Sequence, residues 1–87
     1  MKKIEAFVRP VKLHDVTKAL QEGASDIMVV VSEVRGKSDR TRIKFELVVD
    51  DEQVREICAL IKKAATTGKG DDGEIAVSSI EGFVRIG

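Results

Sequence analysis

The order of apolar patterns along the chain predicts an α+β domain in which two helices cover one face of a four-stranded antiparallel sheet. Short apolar or alternating runs indicate strands near both ends of the chain and in its middle, and two stretches with helical spacing lie between them. The order is therefore β-α-β-β-α-β, the split βαβ unit of the ferredoxin-like fold. Since the two crossovers are right-handed, both helices lie on the same face of the sheet. At 87 residues the chain has room for one such domain, residues 1–87.

The first half of the chain contains two predicted strands and one helix. Residues 2–9 form a short, mostly apolar run that Pro10 closes, which indicates the first strand. Apolar residues then recur at helical spacing over residues 13–22, and Gly23 supplies a stop just past the helix end. Residues 27–34 hold a β-branched block that is too short for a free helix, so we predict a strand covered on both faces.

The second half contains the clearest strand, residues 42–49, in which apolar and polar side chains alternate. Asp50 and Gln53 resemble a capping box, so a second helix starts there and ends by Thr67. Its predicted apolar stripe consists of Val54, Ile57, Cys58, Ile61 and Ala65. A fourth strand around residues 75–77 completes the sheet.

Composition excludes several classes of protein. Fifteen lysines and arginines balance fifteen aspartates and glutamates, so bulk attraction to nucleic acid or to an acidic membrane surface is not expected. One cysteine cannot form an internal disulfide, and no apolar run is long enough to insert into a membrane. We therefore expect a cytoplasmic protein without a targeting signal.

The strands carry apolar residues on both faces, most visibly over residues 28–31. Leaving the helix-free face of the sheet in water is then costly, and self-association through the sheet removes that cost. We expect a homo-oligomer.

The richest local signal is the loop of residues 67–73, which contains three of the seven glycines. Consecutive backbone N–H groups that glycines leave free can form an anion-binding nest, and Lys69 adds a cation. The alternative is a plain helix cap followed by a turn. A Walker A loop is excluded, because that loop follows a strand and precedes a helix.

Several segments together resemble the PII family of nitrogen-regulatory signalling proteins. The resemblance covers nearly the whole chain and rests on residues 1–13, 15–16, 19–20, 32–36, 44–49, 67–69, 72–73, 75–77 and 84–86. It implies a homotrimer of ferredoxin-like subunits with adenine nucleotides, ATP or ADP, in the clefts between neighbours. It further implies a regulator of an enzyme, transporter or transcription regulator, not an enzyme, so no catalytic residue is expected.

The resemblance also implies roles for individual residues in the cleft. Gly36 lines it, Glu46 and Val48 lie near the adenine, and Thr67 hydrogen-bonds the base or ribose. The backbone of residues 71–73 faces the phosphates, and Arg85 supplies charge. With Arg40 from a neighbouring subunit, the candidate nucleotide-binding residues are Gly36, Arg40, Glu46, Val48, Thr67, Gly68, Lys69, Asp71, Asp72, Gly73 and Arg85.

The chain departs from the family pattern at the connection between the second and third strands. Residues 37–40 alone separate Gly36 from Thr41, where the family has a long loop with a modified tyrosine and a glutamine that takes part in 2-oxoglutarate and metal binding. This chain has no tyrosine. We therefore expect no uridylylation-type control and no 2-oxoglutarate binding.

The phosphate side of the loop departs as well. Glu74 stands where the resemblance implies a basic residue, Gly87 where it implies a second arginine, and Asp71 where it implies glycine. Charge-assisted hydrogen bonds contribute roughly 1.5–3 kcal/mol each, so these changes predict weakened ATP binding. A magnesium ion that bridges Asp71 or Asp72 to the phosphates would restore part of it.

Other classes of protein share this topology but need functional residues that differ from those of the PII family. An RNA-recognition module needs aromatic residues on its central strands, and three phenylalanines without tryptophan or tyrosine do not supply them. A heavy-metal carrier needs a cysteine pair. The alternative that stays open is an effector-binding module of the amino-acid-sensing (ACT-like) type, which binds its ligand at a dimer interface without nucleotide.

Overall fold

A computed structural model describes residues 1–36 and 40–87 of the chain, so residues 37–39 of the short connection between the second and third strands lie outside the described residues. Within these ranges the chain forms four strands and two α-helices. The strands are β1 (Lys2–Val8), β2 (Val29–Arg35), β3 (Thr41–Val49) and β4 (Gly73–Ser79). The helices are α1 (Leu13–Gly23) and α2 (Val54–Ala65), preceded by the 3₁₀ turns Pro10–Lys12 and Asp51–Gln53. The predicted β-α-β-β-α-β order is confirmed.

The four strands form one antiparallel sheet in the order β2-β3-β1-β4. In the register of the two central strands and β4, Ala6 lies opposite both Phe45 and Ile75. Val8, at the end of β1, lies opposite Ile43 on one side and Gly73 on the other. The β2–β3 connection and the loop before β4 therefore meet at the same end of the sheet.

The hydrophobic core lies between the sheet and the two helices. Its members are Ile4, Ala6, Val8, Val16, Leu20, Ala24, Ile43, Phe45, Leu47, Val49, Ile57, Ile61 and Ala65. Phe45 of the central strand β3 and Ile61 of α2 are both fully buried in this core. Truncating a buried phenylalanine typically costs about 3–5 kcal/mol, so burial of Phe45 is a main source of stability.

Helix α2 follows its predicted pattern closely. The capping box is present: the backbone N–H of Asp50 donates to Oε1 of Gln53 over 2.9 Å. Of the predicted stripe, Ile57, Ile61 and Ala65 are buried, and Val54 and Cys58 are half-buried against the core. Burial raises the pKa of the Cys58 thiol, which keeps it protonated. Neither of the helices in the described ranges is long and apolar enough to span a membrane.

Two predicted boundaries need correction. Gly23 is not the stop beyond α1 but its last residue, and Ala24 caps the helix. A Cβ at this position would overlap Cδ1 of Leu60 on α2, so Leu60 would have to shift to admit any larger residue here. The second strand begins at Val29, two residues later than predicted, and Met28 lies exposed before it.

The helix-free face of the sheet is charged at its centre, contrary to the expectation of an apolar face. Lys3 Nζ lies 3.1 Å from Glu46 Oε2, and Lys44 Nζ lies 2.9 Å from Glu5 Oε2 and 3.4 Å from Glu46 Oε1. The hydrogen bond with Glu5 raises the pKa of Lys44, and that with Lys3 lowers the pKa of Glu46. Apolar side chains are prominent on the edge strand, where Val30 is exposed. Self-association through this face stays a prediction.

Candidate functional site

The candidate site lies at the end of the sheet where β1 ends and β4 begins. Residues 67–73, here called the glycine loop, connect the last turn of α2 with β4. Gly36 and Arg40 flank the β2–β3 connection at the same end, and the N–H of Gly36 donates to the Arg40 carbonyl over 2.6 Å. The fold thus brings two separate predicted segments into one region.

The glycine loop is held by hydrogen bonds between its own residues. Asp72 accepts from the backbone N–H of Thr67 over 2.8 Å and from its hydroxyl over 2.5 Å. The backbone N–H of Lys69 donates to Thr67 Oγ1 over 3.1 Å. The Thr67 hydroxyl and N–H, aided by Arg9, hold the pKa of Asp72 below its ordinary value. Thr67 and Asp72 therefore close the loop into a fixed ring.

The backbone of the loop adopts conformations that favour glycine. Gly68 and Gly70 have φ angles of 83° and 82°. Gly73 has φ 135°, and a Cβ there would overlap the carbonyl oxygen of Phe7 on β1. Asp71, with φ 53°, is the one non-glycine residue with positive φ in residues 1–36 and 40–87. The glycine pattern is thus required by geometry and is more than a flexible turn.

Arg9, at the end of β1, ties the loop to the sheet. Its Nη2 donates to the Gly70 carbonyl over 2.8 Å. Its Nε lies 3.3 Å from Asp72 Oδ1, within ion-pair distance but without the alignment of a hydrogen bond. Sequence reasoning did not assign Arg9 to the site. The sequence places Arg9 between the first strand and Pro10. It does not show that Arg9 reaches the glycine loop, because that contact depends on the pairing of β4 with β1.

Two further arginines contact Asp71. Arg40 Nη1 lies 2.5 Å from Asp71 Oδ2, and Arg42 Nη2 lies 3.5 Å from the same oxygen and from the Asp71 carbonyl oxygen. Arg40 was expected to act from a neighbouring subunit, whereas here it contacts the loop of its own chain. Sequence reasoning missed Arg42, because the alternation of β3 explained it as a solvated side chain.

The structure does not bring every candidate residue to the loop of the same chain. Glu46 lies in the ion-pair cluster at the centre of the sheet, opposite Glu5. Val48 lies five residues beyond Ile43, about 17 Å further along β3. Arg85 belongs to the segment after β4, which starts where Ser79 pairs with Lys2, at the opposite end of the sheet. Their roles in a cleft stay predictions.

An open cavity of about 440 Å³ lies between the β2–β3 connection and the glycine loop. Its lining includes Gly36, Arg40, Arg42, Asp71 and Glu74. Backbone N–H groups at a glycine-rich turn and guanidinium groups are both suited to phosphate, since guanidinium binds it with paired hydrogen bonds. Among the described residues no group of three histidine, cysteine or carboxylate side chains could hold a metal ion by itself.

Comparison with known proteins gives the family. The family model described as Nitrogen regulatory protein P-II matches residues 1–87. The chain belongs to this family. It is 37% identical over 102 residues to the nitrogen regulatory protein P-II of Porphyra purpurea, a match that covers 99% of this chain and 91% of that protein. The P-II protein of Nostoc punctiforme is 40% identical over 103 residues, with the same coverage.

The P-II protein of Synechocystis is 38% identical over 103 residues, again covering 99% of this chain and 91% of the relative. These alignments are longer than the 87-residue chain, so the relatives contain internal residues that have no counterpart here. This agrees with the short connection between Gly36 and Thr41. The resemblance to the PII family is confirmed, and with it a regulatory signalling role.

Proposed function

We propose that this P-II protein senses an adenine nucleotide, ATP or ADP, at clefts between the subunits of a homotrimer and thereby regulates a protein partner. The observation that carries the proposal is the convergence of Arg9, Arg40 and Arg42 on a glycine loop that Thr67 and Asp72 hold in shape. Family membership supplies the regulatory role, and the loop supplies groups that suit phosphate. Nitrogen metabolism is the proposed pathway and the cytoplasm the proposed location.

The cleft in this proposal takes its parts from two subunits. The phosphates lie against Gly68–Gly73 and Lys69 of one chain, near Gly36 and Arg40. Glu46 and Val48 lie along β3 away from that loop, so in this proposal a neighbouring subunit supplies them, together with Arg85. A cleft shared in this way supports an oligomer, and family membership makes the trimer the proposed one.

Phosphate affinity depends on how the charges balance. Glu74 lies beside Asp71 in the lining of the cavity, so two carboxylates stand near the proposed phosphate position. The arginines at the ends of β1 and β3 offset them, and a magnesium ion carried by the nucleotide would offset more. We therefore propose weakened but magnesium-assisted ATP binding, and no 2-oxoglutarate binding.

Calorimetric titration tests this proposal directly. ATP, ADP and AMP are titrated with and without magnesium, followed by 2-oxoglutarate. We expect saturable binding of about one nucleotide per subunit, strongest for the nucleotide with more phosphates. No binding of any nucleotide at millimolar concentration would overturn the proposal.

A threonine pair provides the matched control. Thr67→Ala removes the hydroxyl that bonds Asp72 and should weaken nucleotide binding about tenfold. Thr17→Ala removes a hydroxyl that donates to the Leu13 carbonyl on α1, and it should leave binding unchanged. Equal effects of the two substitutions would show that the glycine loop is not the phosphate site.

Light scattering after size exclusion tests the assembly. The proposal requires a trimer, whereas the amino-acid-sensing alternative requires a dimer that binds ligand without nucleotide. A dimer combined with absent nucleotide binding would favour that alternative.

A further inference from the structure

Two guanidinium groups share one carboxylate oxygen at the mouth of the cavity. Arg40 Nη1 and Arg42 Nη2 approach Asp71 Oδ2 to 2.5 Å and 3.5 Å. Paired guanidinium donors around one oxygen are an arrangement that also suits a phosphate oxygen. We propose that Asp71 is an internal competitor: its carboxylate occupies the Arg40–Arg42 pair, and a phosphate-bearing ligand binds there by displacing it.

This inference rests on the proposed nucleotide-binding role of the glycine loop and adds how that site is regulated. Asp71 is suited to exchange because it is open to solvent. Its side chain is 54% exposed and that of Arg40 is 60% exposed. Ion pairs at such exposure contribute little to stability, so an anion with a higher charge can replace the carboxylate.

Asp72, the next residue, differs from Asp71 because its carboxylate holds the loop in shape. Its side chain is 20% exposed, and it accepts two hydrogen bonds from Thr67. Displacing Asp72 would open the loop, whereas displacing Asp71 breaks ion pairs with Arg40 and Arg42, outside the loop. The two neighbouring aspartates therefore have different roles.

The backbone at Asp71 supports the same conclusion. A φ of 53° is uncommon for a residue with a side chain, although aspartate and asparagine tolerate it better than most residues. A glycine here would adopt this conformation without strain, so loop geometry does not explain the aspartate. What the aspartate adds to a glycine at this position is a carboxylate that pairs with Arg40 and Arg42.

The experiment uses an isosteric variant. Asp71→Asn keeps the shape and the tolerance of positive φ but removes the charge. Asp26→Asn is the matched control, because Asp26 is an exposed aspartate in the α1–β2 loop, away from the end of the sheet that holds the site. Both variants and the parent protein are titrated calorimetrically with magnesium ATP and with inorganic pyrophosphate, at low and at high salt.

We expect Asp71→Asn to bind both probes about three- to tenfold more tightly than the parent at low salt. The gain should shrink at high salt, because screening weakens the contact between the probe and the exposed arginine. Asp26→Asn should match the parent. Adding Arg42→Gln to Asp71→Asn should abolish the gain, which assigns it to the released arginine pair.

The outcomes separate this inference from the proposed function. If the parent binds ATP and Asp71→Asn binds no more tightly, the proposal that Asp71 competes with phosphate is refuted, while the proposal of nucleotide sensing stands. If only Asp71→Asn binds, the competitor is supported and the parent is not a nucleotide sensor under these conditions. If neither protein binds either probe, both proposals are overturned.

Discussion

Replacing Gly73 by alanine is expected to destabilise the protein far more than the same change at other glycines. Gly73 combines φ 135° with a direct approach to the Phe7 carbonyl, which a Cβ would overlap. Backbone strain of this kind costs about 1–3 kcal/mol, and moving β4 away from β1 adds to that cost. We expect a loss of at least about 3 kcal/mol in the free energy of unfolding, together with weaker nucleotide binding, since the glycine loop ends at this residue.

Two other glycines provide graded controls. Gly70 has φ 82° but open space around its Cβ position, so Gly70→Ala should cost about 1 kcal/mol. Gly82 has neither positive φ nor a neighbour within 4 Å, so Gly82→Ala should be nearly neutral. Urea unfolding at one fixed protein concentration measures all three, because oligomerisation makes stability depend on concentration. A Gly73→Ala protein as stable as Gly82→Ala would refute the close-approach argument.

Three further expectations concern charge and packing. Hydrogen bonds from Thr67 lower the pKa of Asp72, so their stabilisation is present above pH 3.8 and is lost as the pH falls through the lowered pKa. Thr67→Val should therefore reduce the acid sensitivity of urea unfolding between about pH 5 and 2. The pKa of Lys44 is raised, chiefly by its hydrogen bond with Glu5 on β1. The contribution of Lys44 to the stability of the folded protein is therefore complete below pH 10.5 and is lost as the pH rises through the raised pKa. Lys44→Met should unfold with less dependence on alkaline pH than the parent. Gly23→Ala should lower the thermal midpoint by crowding the leucine of α2, and an unchanged midpoint would show that this side chain rotates away without cost.

Local patterns predicted the elements of the fold well because each pattern has a local physical cause. The alternation in residues 42–49 has the two-residue period of a strand with one buried face, and Phe45 and Leu47 are buried as expected. The capping residues of α2 fix its start through contacts three residues apart. Gly23 was misassigned because glycine is favoured both at a helix stop and at a close contact between helices, and sequence alone does not distinguish them.

The charged residues of the site were harder to predict because their relevance depends on sheet order. Arg9 directly follows β1 and Arg42 lies on β3, and only the pairing of β1 with both β3 and β4 brings them to the glycine loop. The helix-free face was misjudged for a similar reason. Its central cluster joins Lys3 and Glu5 of β1 to charges on β3, a match that no single segment displays.

The arginines and Asp71 at the candidate site differ in how exposed they are and in which elements hold them. Arg9 and Arg42 extend from paired strands, and their side chains are 34% and 19% exposed, so their charges are held by the sheet before any ligand arrives. Asp71 is in the loop, is 54% exposed, and forms ion pairs with Arg40 and Arg42. Under the proposal that phosphate binds here, Asp71 and the phosphate compete for Arg40 and Arg42, while Arg9 holds the loop in place. The proposal then predicts that affinity depends on the charge at position 71, which the isosteric substitution Asp71→Asn changes.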